Sequence, residues 1–121
     1  MSLRSFFWWL PFGAAPEITA TELNERMAAD RAPFILDVRT PAEWRASRIP
    51  GATNVPITSI PAELKNLDIA KDQPIVAICL SAHRSIPAVR ALRKAGFTEV
   101  HQLESGMRAW WKAGLETHKG R

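Results

Sequence analysis

The chain of 121 residues, 46% of them apolar and 23% charged, is long enough for one domain with its own core and has an ordinary globular composition. Its single cysteine excludes an internal disulfide and a cysteine-rich metal site. The net charge of +4 comes from scattered lysines and arginines. This pattern fits a surface that attracts small anions better than a nucleic-acid platform, so no nucleic-acid partner is expected.

Aromatic residues crowd the first stretch of the chain, residues 3–12. The stretch is too short to span a bilayer, and three interpretations remain open: a flap packed on the domain, an anchor for a membrane surface or protein partner, and a poor signal peptide. We therefore divide the chain into an aromatic extension (1–16), the domain proper (17–116) and a polar tail (117–121) that is expected to fray. A cytoplasmic location is expected, with membrane association or export as the alternative.

Strand and helix signals alternate from Glu17 onward. Ile18 is expected in a short edge strand. Thr-x-x-Glu capping boxes that begin at Thr19 and Thr40 each predict the start of a helix. Between them, the apolar run 34–38 predicts a strand that is covered on both faces.

The second half of the chain continues this alternation. Pro87 lacks an N–H and is tolerated only in the first turn of a helix, so one helix must begin near Ser85. The remaining patterns predict a turn at 49–52 and strands at 53–55, 75–78 and 99–103. They also predict a helix over 60–67 and a helix closed by Gly96, with Ile86, Val89 and Leu92 on one face. A last helix is expected to carry Met107, Trp110 and Trp111. Strands that alternate with helices predict an α/β domain, a parallel sheet with helices on both faces.

The lone thiol, Cys79, directly follows the apolar strand 75–78 and precedes a helix. In open α/β sheets, functional sites lie outside the carboxyl ends of the strands. Backbone N–H groups and the helix dipole favour an anion there, and the thiolate is the nucleophilic form of cysteine. An inert buried cysteine is the alternative, but the polar loop and the arginine that follows, Arg84, favour a nucleophile.

Other chemistries fit the histidines poorly. His83 is only four residues from Cys79 in the same loop, a poor arrangement for the oriented base that acyl transfer requires. Cys79, His83, His101 and His118 show no metal-ligand spacing, so no metal is expected.

Three stretches make the sequence resemble the single-domain rhodanese-like sulfurtransferases from Glu17 to Leu115. They are Leu-Asp-Val-Arg-Thr-Pro-Ala-Glu-Trp at 36–44 with Ile-Pro-Gly-Ala-Thr-Asn-Val-Pro at 49–56, Cys-Leu-Ser-Ala-His-Arg-Ser at 79–85, and Leu-Glu-Ser-Gly-Met-Arg-Ala-Trp at 103–110. The resemblance implies a three-layer fold around a mostly parallel five-stranded sheet. It also implies sulfur transfer and requires no organic cofactor or metal.

The length of the cysteine loop (residues 79–85) separates close relatives of this fold. Cell-cycle dual-specificity phosphatases place five residues between cysteine and arginine to hold a phosphate, whereas sulfurtransferases place four. Four residues lie between Cys79 and Arg84. The resemblance therefore implies sulfur transfer rather than phosphate hydrolysis.

The implied mechanism is double displacement through a persulfide on Cys79. Thiosulfate or another persulfide donor supplies the sulfur, and a thiol or cyanide accepts it. Arg84 either binds the donor's anionic oxygens or braces the loop against a carboxylate such as Asp37 or Glu43, and Asp37 with Arg39 is expected to border the pocket. The loop residues expected to hold the substrate or the charged sulfur are Leu80, Ser81, Ala82, His83, Arg84 and Ser85.

The sequence departs from the family pattern at several positions. Leu80 stands where many members carry arginine or another polar residue, Ala82 where glycine is common, and Ser47-Arg48 where Gly-His is usual. His83 can supply part of the missing positive charge below neutral pH. Two rival functions stay open: a sulfur-carrier or protein-binding module with little turnover, and, least favoured, a phosphatase or arsenate reductase.

Overall fold

The structure, a computed structural model, describes residues 16–81 and 85–121. The aromatic segment at 3–12 and the centre of the cysteine loop, 82–84, lie outside the described residues. None of the helices in these two ranges combines the length and the apolar composition that a membrane span requires.

Five strands form one sheet in which each ladder is parallel. The spatial order is β1-β5-β4-β2-β3, so β4 is the central strand and β1 an edge strand, as the short apolar signal at Ile18 predicts. This confirms the α/β architecture. The strands are β1 (Glu17–Ile18), β2 (Phe34–Asp37), β3 (Thr53–Asn54), β4 (Ile75–Ile78) and β5 (Val100–Leu103).

The helices are α1 (Ala20–Ala28), α2 (Pro41–Ala46), α3 (Ile60–Glu63), α4 (Ser85–Lys94) and α5 (Gly106–Lys112), with 3₁₀ turns at Ile57–Ser59 and Leu64–Asn66. Both predicted capping boxes are present, at the starts of α1 and α2. In the first, the backbone N–H of Thr19 and then its side chain hydrogen-bond the Glu22 carboxylate and lower its pKa below the ordinary value of 4.5.

Two apolar clusters cover the two faces of the sheet, as the alternation of strands and helices predicts. On one face, α1 and α5 contribute fully buried side chains, Leu23, Met107 and Trp110. On the other face, α3 and α4 contribute Ile60 and Leu92. The carboxyl ends of the strands are thus held between two packed layers of helices.

Two predicted helices differ in detail. The helix expected over 60–67 is an α-helix only as far as Glu63 and continues as a 3₁₀ turn over Leu64–Asn66, in which Leu67 N–H donates to the Leu64 carbonyl. In α4 the buried positions are Ser85, Ala88, Val89 and Leu92, whereas Ile86 is only half-buried. The helix is rotated so that the hydroxyl of its first residue faces the sheet.

The expectation that the polar tail frays is wrong. His118 and Arg48 exchange both backbone hydrogen bonds at 2.9 Å, and Gly120 N–H donates to the Arg45 carbonyl. The Arg48 guanidinium also donates to the Gly120 carbonyl and stacks 3.9 Å above the Trp44 ring. Backbone groups of 45–48 that would otherwise face water thus find partners in the tail.

Candidate active site around Cys79

Cys79 lies where the sequence predicts, directly after the central strand β4 at the carboxyl edge of the sheet. The preceding carbonyl, of Ile78, accepts a 2.9 Å hydrogen bond from Val38 N–H, which extends the pairing of β2 with β4 to this edge. Cys79 is 2% exposed and belongs to the apolar cluster under α4. The thiol therefore sits on a rigid strand end, which fixes its position.

The start of α5 holds the backbone of the cysteine loop. Met107 N–H donates to the Cys79 carbonyl at 2.8 Å, and Arg108 N–H donates to the Leu80 carbonyl at 3.1 Å. These N–H groups belong to the first turn of a helix, which has no partners for them within the helix. Helix α5 and the loop therefore satisfy each other's backbone groups.

Gly106 allows this close approach. A Cβ at position 106 would lie 2.8 Å from the carbonyl carbon and oxygen of Leu80, and nearer still to the Cys79 carbonyl oxygen. Its φ of +53° is also unfavourable for other residues. In the sequence Gly106 stands only as one residue of the stretch 103–110 that resembles the family, because a contact across the fold leaves no local pattern.

A buried polar pair holds the far end of the cysteine loop. Ser85, the first residue of α4, is fully buried and donates its hydroxyl to Oε1 of Gln102 on β5 at 2.7 Å. Gln102 was not singled out from the sequence, although a glutamine in a buried strand is itself a signal. Leu80 and Ser81 are half-buried at the near end, and the predicted residues Ala82, His83 and Arg84 lie outside the described ranges.

Asp37 and Arg39, expected to border the pocket, form a buried ion pair with Nη2 and Oδ2 2.7 Å apart. Arg39 also donates to the Ser47 carbonyl at 2.6 Å, and the Asn54 amide donates to the carbonyls of Asp37 and Arg39. Both carboxylate oxygens of Asp37 accept from Arg39. In this structure the ion pair of Asp37 and Arg39 thus braces the segment after β2. A contact of either residue with substrate stays a prediction.

Glu43 is half-buried in the first turn of α2. Its Oε1 accepts the Thr40 backbone N–H at 2.9 Å and the Thr40 hydroxyl at 3.1 Å. These bonds give Glu43 a helix-capping role beside the one proposed for it. Bracing of Arg84 by Glu43 stays a prediction, because Arg84 is outside the described residues.

The described ranges contain no group of three histidine, cysteine, aspartate or glutamate side chains that could hold a metal ion. His101 lies half-buried on β5, and His118 lies in the tail 3.2 Å from the Glu116 carboxylate. Neither belongs to the cysteine loop.

Comparison with known proteins supports one family. The model of the rhodanese-like domain matches residues 19–113. A sulfurtransferase from Allochromatium vinosum is 35% identical over 99 residues, which cover 82% of this chain and 91% of that protein. The putative sulfur carrier protein YrkF from Bacillus subtilis is 33% identical over 78% of this chain, which spans only 50% of that protein.

Solved structures agree in fold. The protein SSP1007 from Staphylococcus saprophyticus has a TM-score of 0.72 and 35% identity, over 84% of this chain and 98% of that one. A thiosulfate sulfurtransferase from Pseudomonas aeruginosa has a TM-score of 0.76 and 28% identity, over 88% of this chain but only 21% of that one.

Proposed function

The chain belongs to the rhodanese-like domain family, and on that premise we propose that it is a sulfurtransferase in which Cys79 carries a sulfur atom from a donor to an acceptor. The observation that carries the proposal is the placement of Cys79. The chain's one cysteine follows the central strand at the carboxyl edge of the sheet, with its carbonyl held by the first turn of α5. A residue held in this way can present a thiolate without reorganising the backbone.

The first step loads the cysteine. The Cys79 thiolate attacks the outer sulfur of thiosulfate, the sulfur–sulfur bond of the donor breaks, and sulfite leaves with the electron pair of that bond. With a thiol persulfide as donor, the leaving group is the thiolate. Either way the product is a Cys79 persulfide, and no oxidant or reductant is consumed.

The second step unloads it. Cyanide or a thiolate attacks the terminal sulfur of the Cys79 persulfide, and the bond between that sulfur and Sγ breaks. Cyanide leaves as thiocyanate, a thiol leaves as a persulfide, and the Cys79 thiolate returns. Both steps place negative charge on sulfur beside the cysteine loop, so N–H groups turned toward that sulfur would stabilise it.

Residues around the loop take supporting roles in this proposal. Gly106 lets α5 pack against the backbone of Cys79 and Leu80, and the Asp37–Arg39 pair fixes the segment beside β4. We expect the loop residues Leu80, Ser81, Ala82, His83, Arg84 and Ser85 to surround the transferred sulfur. Arg84 either binds the donor's oxygens or braces the loop, and four intervening residues favour a sulfur-sized site over a phosphate-sized one.

A sulfur-carrier role is the second candidate, favoured by the similarity to the putative sulfur carrier protein YrkF. In that case Cys79 would form the same persulfide but would pass the sulfur only to a particular protein acceptor. Small acceptors would then be used poorly. Half-buried Leu80, an apolar side chain beside the cysteine, is compatible with such a preference.

Turnover with small molecules tests the proposal. Thiocyanate formation is measured with cyanide as acceptor and either thiosulfate or glutathione persulfide as donor, for the wild type and for Cys79→Ser. We expect catalytic turnover with at least one donor and none in the variant. Thiocyanate formed equally by Cys79→Ser would overturn the proposal. Hydrolysis of an aryl phosphate in place of sulfur transfer would support a phosphatase instead.

A further inference from the structure

A chain of three polar side chains crosses from the sheet edge to the end of the cysteine loop. The exposed Glu17 on β1 accepts a 3.1 Å hydrogen bond from Nε2 of Gln102, and Oε1 of Gln102 accepts a 2.7 Å hydrogen bond from the Ser85 hydroxyl. Gln102 is 4% exposed and Ser85 is fully buried. A buried polar group that loses its hydrogen-bond partner costs free energy, so these hydrogen bonds strongly constrain the side chains.

The Glu17 carboxylate at one end determines which group donates and which accepts in each hydrogen bond of this series. An ionised carboxylate can only accept, so Glu17 requires the NH₂ group of Gln102 to point toward it. The amide oxygen of Gln102 must then face Ser85. A serine hydroxyl has one proton, which goes to Gln102, so Ser85 can only accept from any other neighbour.

This series of hydrogen-bonded side chains lies on the same face of the sheet as the Cys79 thiol. Gln102 is in register with Ala77, which precedes Cys79 by two residues, and both of these belong to the cluster under α4. Two residues of strand rise about 6.6 Å and neighbouring strands lie about 4.8 Å apart. Gln102 is therefore on the strand next to the thiol's own strand, and its Oε1 lies 2.7 Å from the hydroxyl of Ser85, the last residue of the cysteine loop.

We propose that Gln102 is a positioning residue for the sulfur-transfer site: its Oε1 accepts the hydrogen bond of the Ser85 hydroxyl, so Ser85 acts as an acceptor toward the cysteine loop. Glu17, exposed and 62 residues before Cys79 in the chain, holds Gln102 in the required orientation. The role of Gln102 in sulfur transfer rests on the proposed function, whereas the orientation of Ser85 does not.

The consequence appears when Gln102 loses its acceptor oxygen. In Gln102→Met, which keeps the length of the side chain, the Ser85 hydroxyl loses this acceptor and can donate its hydrogen bond into the cysteine loop. A donor added to the loop stabilises a negative sulfur. Glu17→Gln acts more weakly in the same direction, because the amide of Gln102 can then turn over and offer its NH₂ group to Ser85.

The test follows alkylation of Cys79 by iodoacetamide as a function of pH, a reaction of the thiolate that needs no sulfur donor. We expect Gln102→Met to move the midpoint of the profile by about half a unit toward lower pH, the size of one modest hydrogen bond. Glu17→Gln should give a smaller shift of the same sign. Glu99→Gln, the same charge change at an exposed glutamate beside β5, should give none.

The double variant separates positioning from packing. If Gln102 acts through Ser85, Gln102→Met should leave the midpoint unchanged in a Ser85→Ala background. An unchanged midpoint in both Gln102→Met and Glu17→Gln, or an equal shift with and without Ser85, would overturn the inference. Because the readout is alkylation, a wild type that alkylates as expected but forms no persulfide would contradict the proposed function alone.

Discussion

Gly106 lies against the backbone of Cys79, and this contact joins the last helix to the candidate nucleophile. The Met107 N–H donates to the Cys79 carbonyl at 2.8 Å, and a Cβ at position 106 would lie within van der Waals overlap of that carbonyl and of Leu80. The obstructing atoms are backbone, so they cannot move aside as a flexible side chain can.

Gly106→Ala is therefore expected to separate α5 from the cysteine loop. The loss in unfolding free energy should exceed about 2 kcal/mol, because a backbone clash adds to the strain of a positive φ. Sulfur transfer should fall in parallel. Gly114→Ala is the matched control, since Gly114 also has a positive φ but nothing within 4 Å of the added Cβ. Equal losses of unfolding free energy for the two variants in urea denaturation would refute this role of Gly106 in packing α5 against the cysteine loop.

The Asp37–Arg39 pair gives a second prediction. Arg39→Met removes the partner of a fully buried carboxylate and should lower the unfolding free energy by about 3–5 kcal/mol. Replacing both residues, as Asp37→Asn with Arg39→Met, should recover part of this loss because no buried charge is left alone. Chemical denaturation measures both. A double variant that is less stable than the single one would show that Asp37 matters for another reason.

The capping box of α1 predicts a pH dependence. The pKa of Glu22 is lowered by its hydrogen bonds from Thr19, so the ionised carboxylate stabilises the fold above the ordinary value of 4.5, and this contribution is lost as the pH falls through the lower folded value. Glu22→Gln should thus lower the Tm more at neutral pH than at about pH 3. Glu25→Gln, in the same helix, is the control. A Tm difference between Glu22→Gln and the wild type that is constant with pH would contradict the assignment.

The docked tail gives a fourth prediction. Removal of residues 117–121 breaks the backbone pairing of Arg48 with His118 and the bond to Arg45, and should lower the unfolding free energy by about 1–3 kcal/mol. Amide exchange at Arg48 and His118 measures the same pairing in the intact chain. Lys119→Ala should change neither, since that exposed side chain is not part of the pairing. Fast exchange at Arg48 in the full chain would restore the expectation of a frayed tail.

Local signals carried the fold. Both Thr-x-x-Glu boxes, the apolar runs of β2 and β4 and the glycine after α4 are short-range patterns, and each marks the element that the structure contains. The helix expected over 60–67 is present, although its second half is a 3₁₀ turn. The prediction that the tail frays was wrong because the tail's partner, Arg48, is distant in sequence.

The candidate site was predicted only in part for the same reason. The position of Cys79 at a strand end was predicted because strand, thiol and helix are consecutive in the sequence. Gly106 and Gln102 were not, because they meet the cysteine loop only through the sheet order β1-β5-β4 and the packing of α4 and α5. The place of Asp37 beside the pocket stays a prediction, and its ion pair with Arg39 was not foreseen because it depends on the side-chain geometry that the fold imposes.

The most direct test of the central claim is the intact mass of the protein after incubation with thiosulfate or glutathione persulfide and removal of the donor. We expect the added mass of one sulfur atom on the peptide that contains Cys79, its loss on addition of cyanide with release of one thiocyanate per protein, and no gain in Cys79→Ser. A wild type that gains no sulfur from any sulfane donor, or a gain that persists in Cys79→Ser, would contradict it.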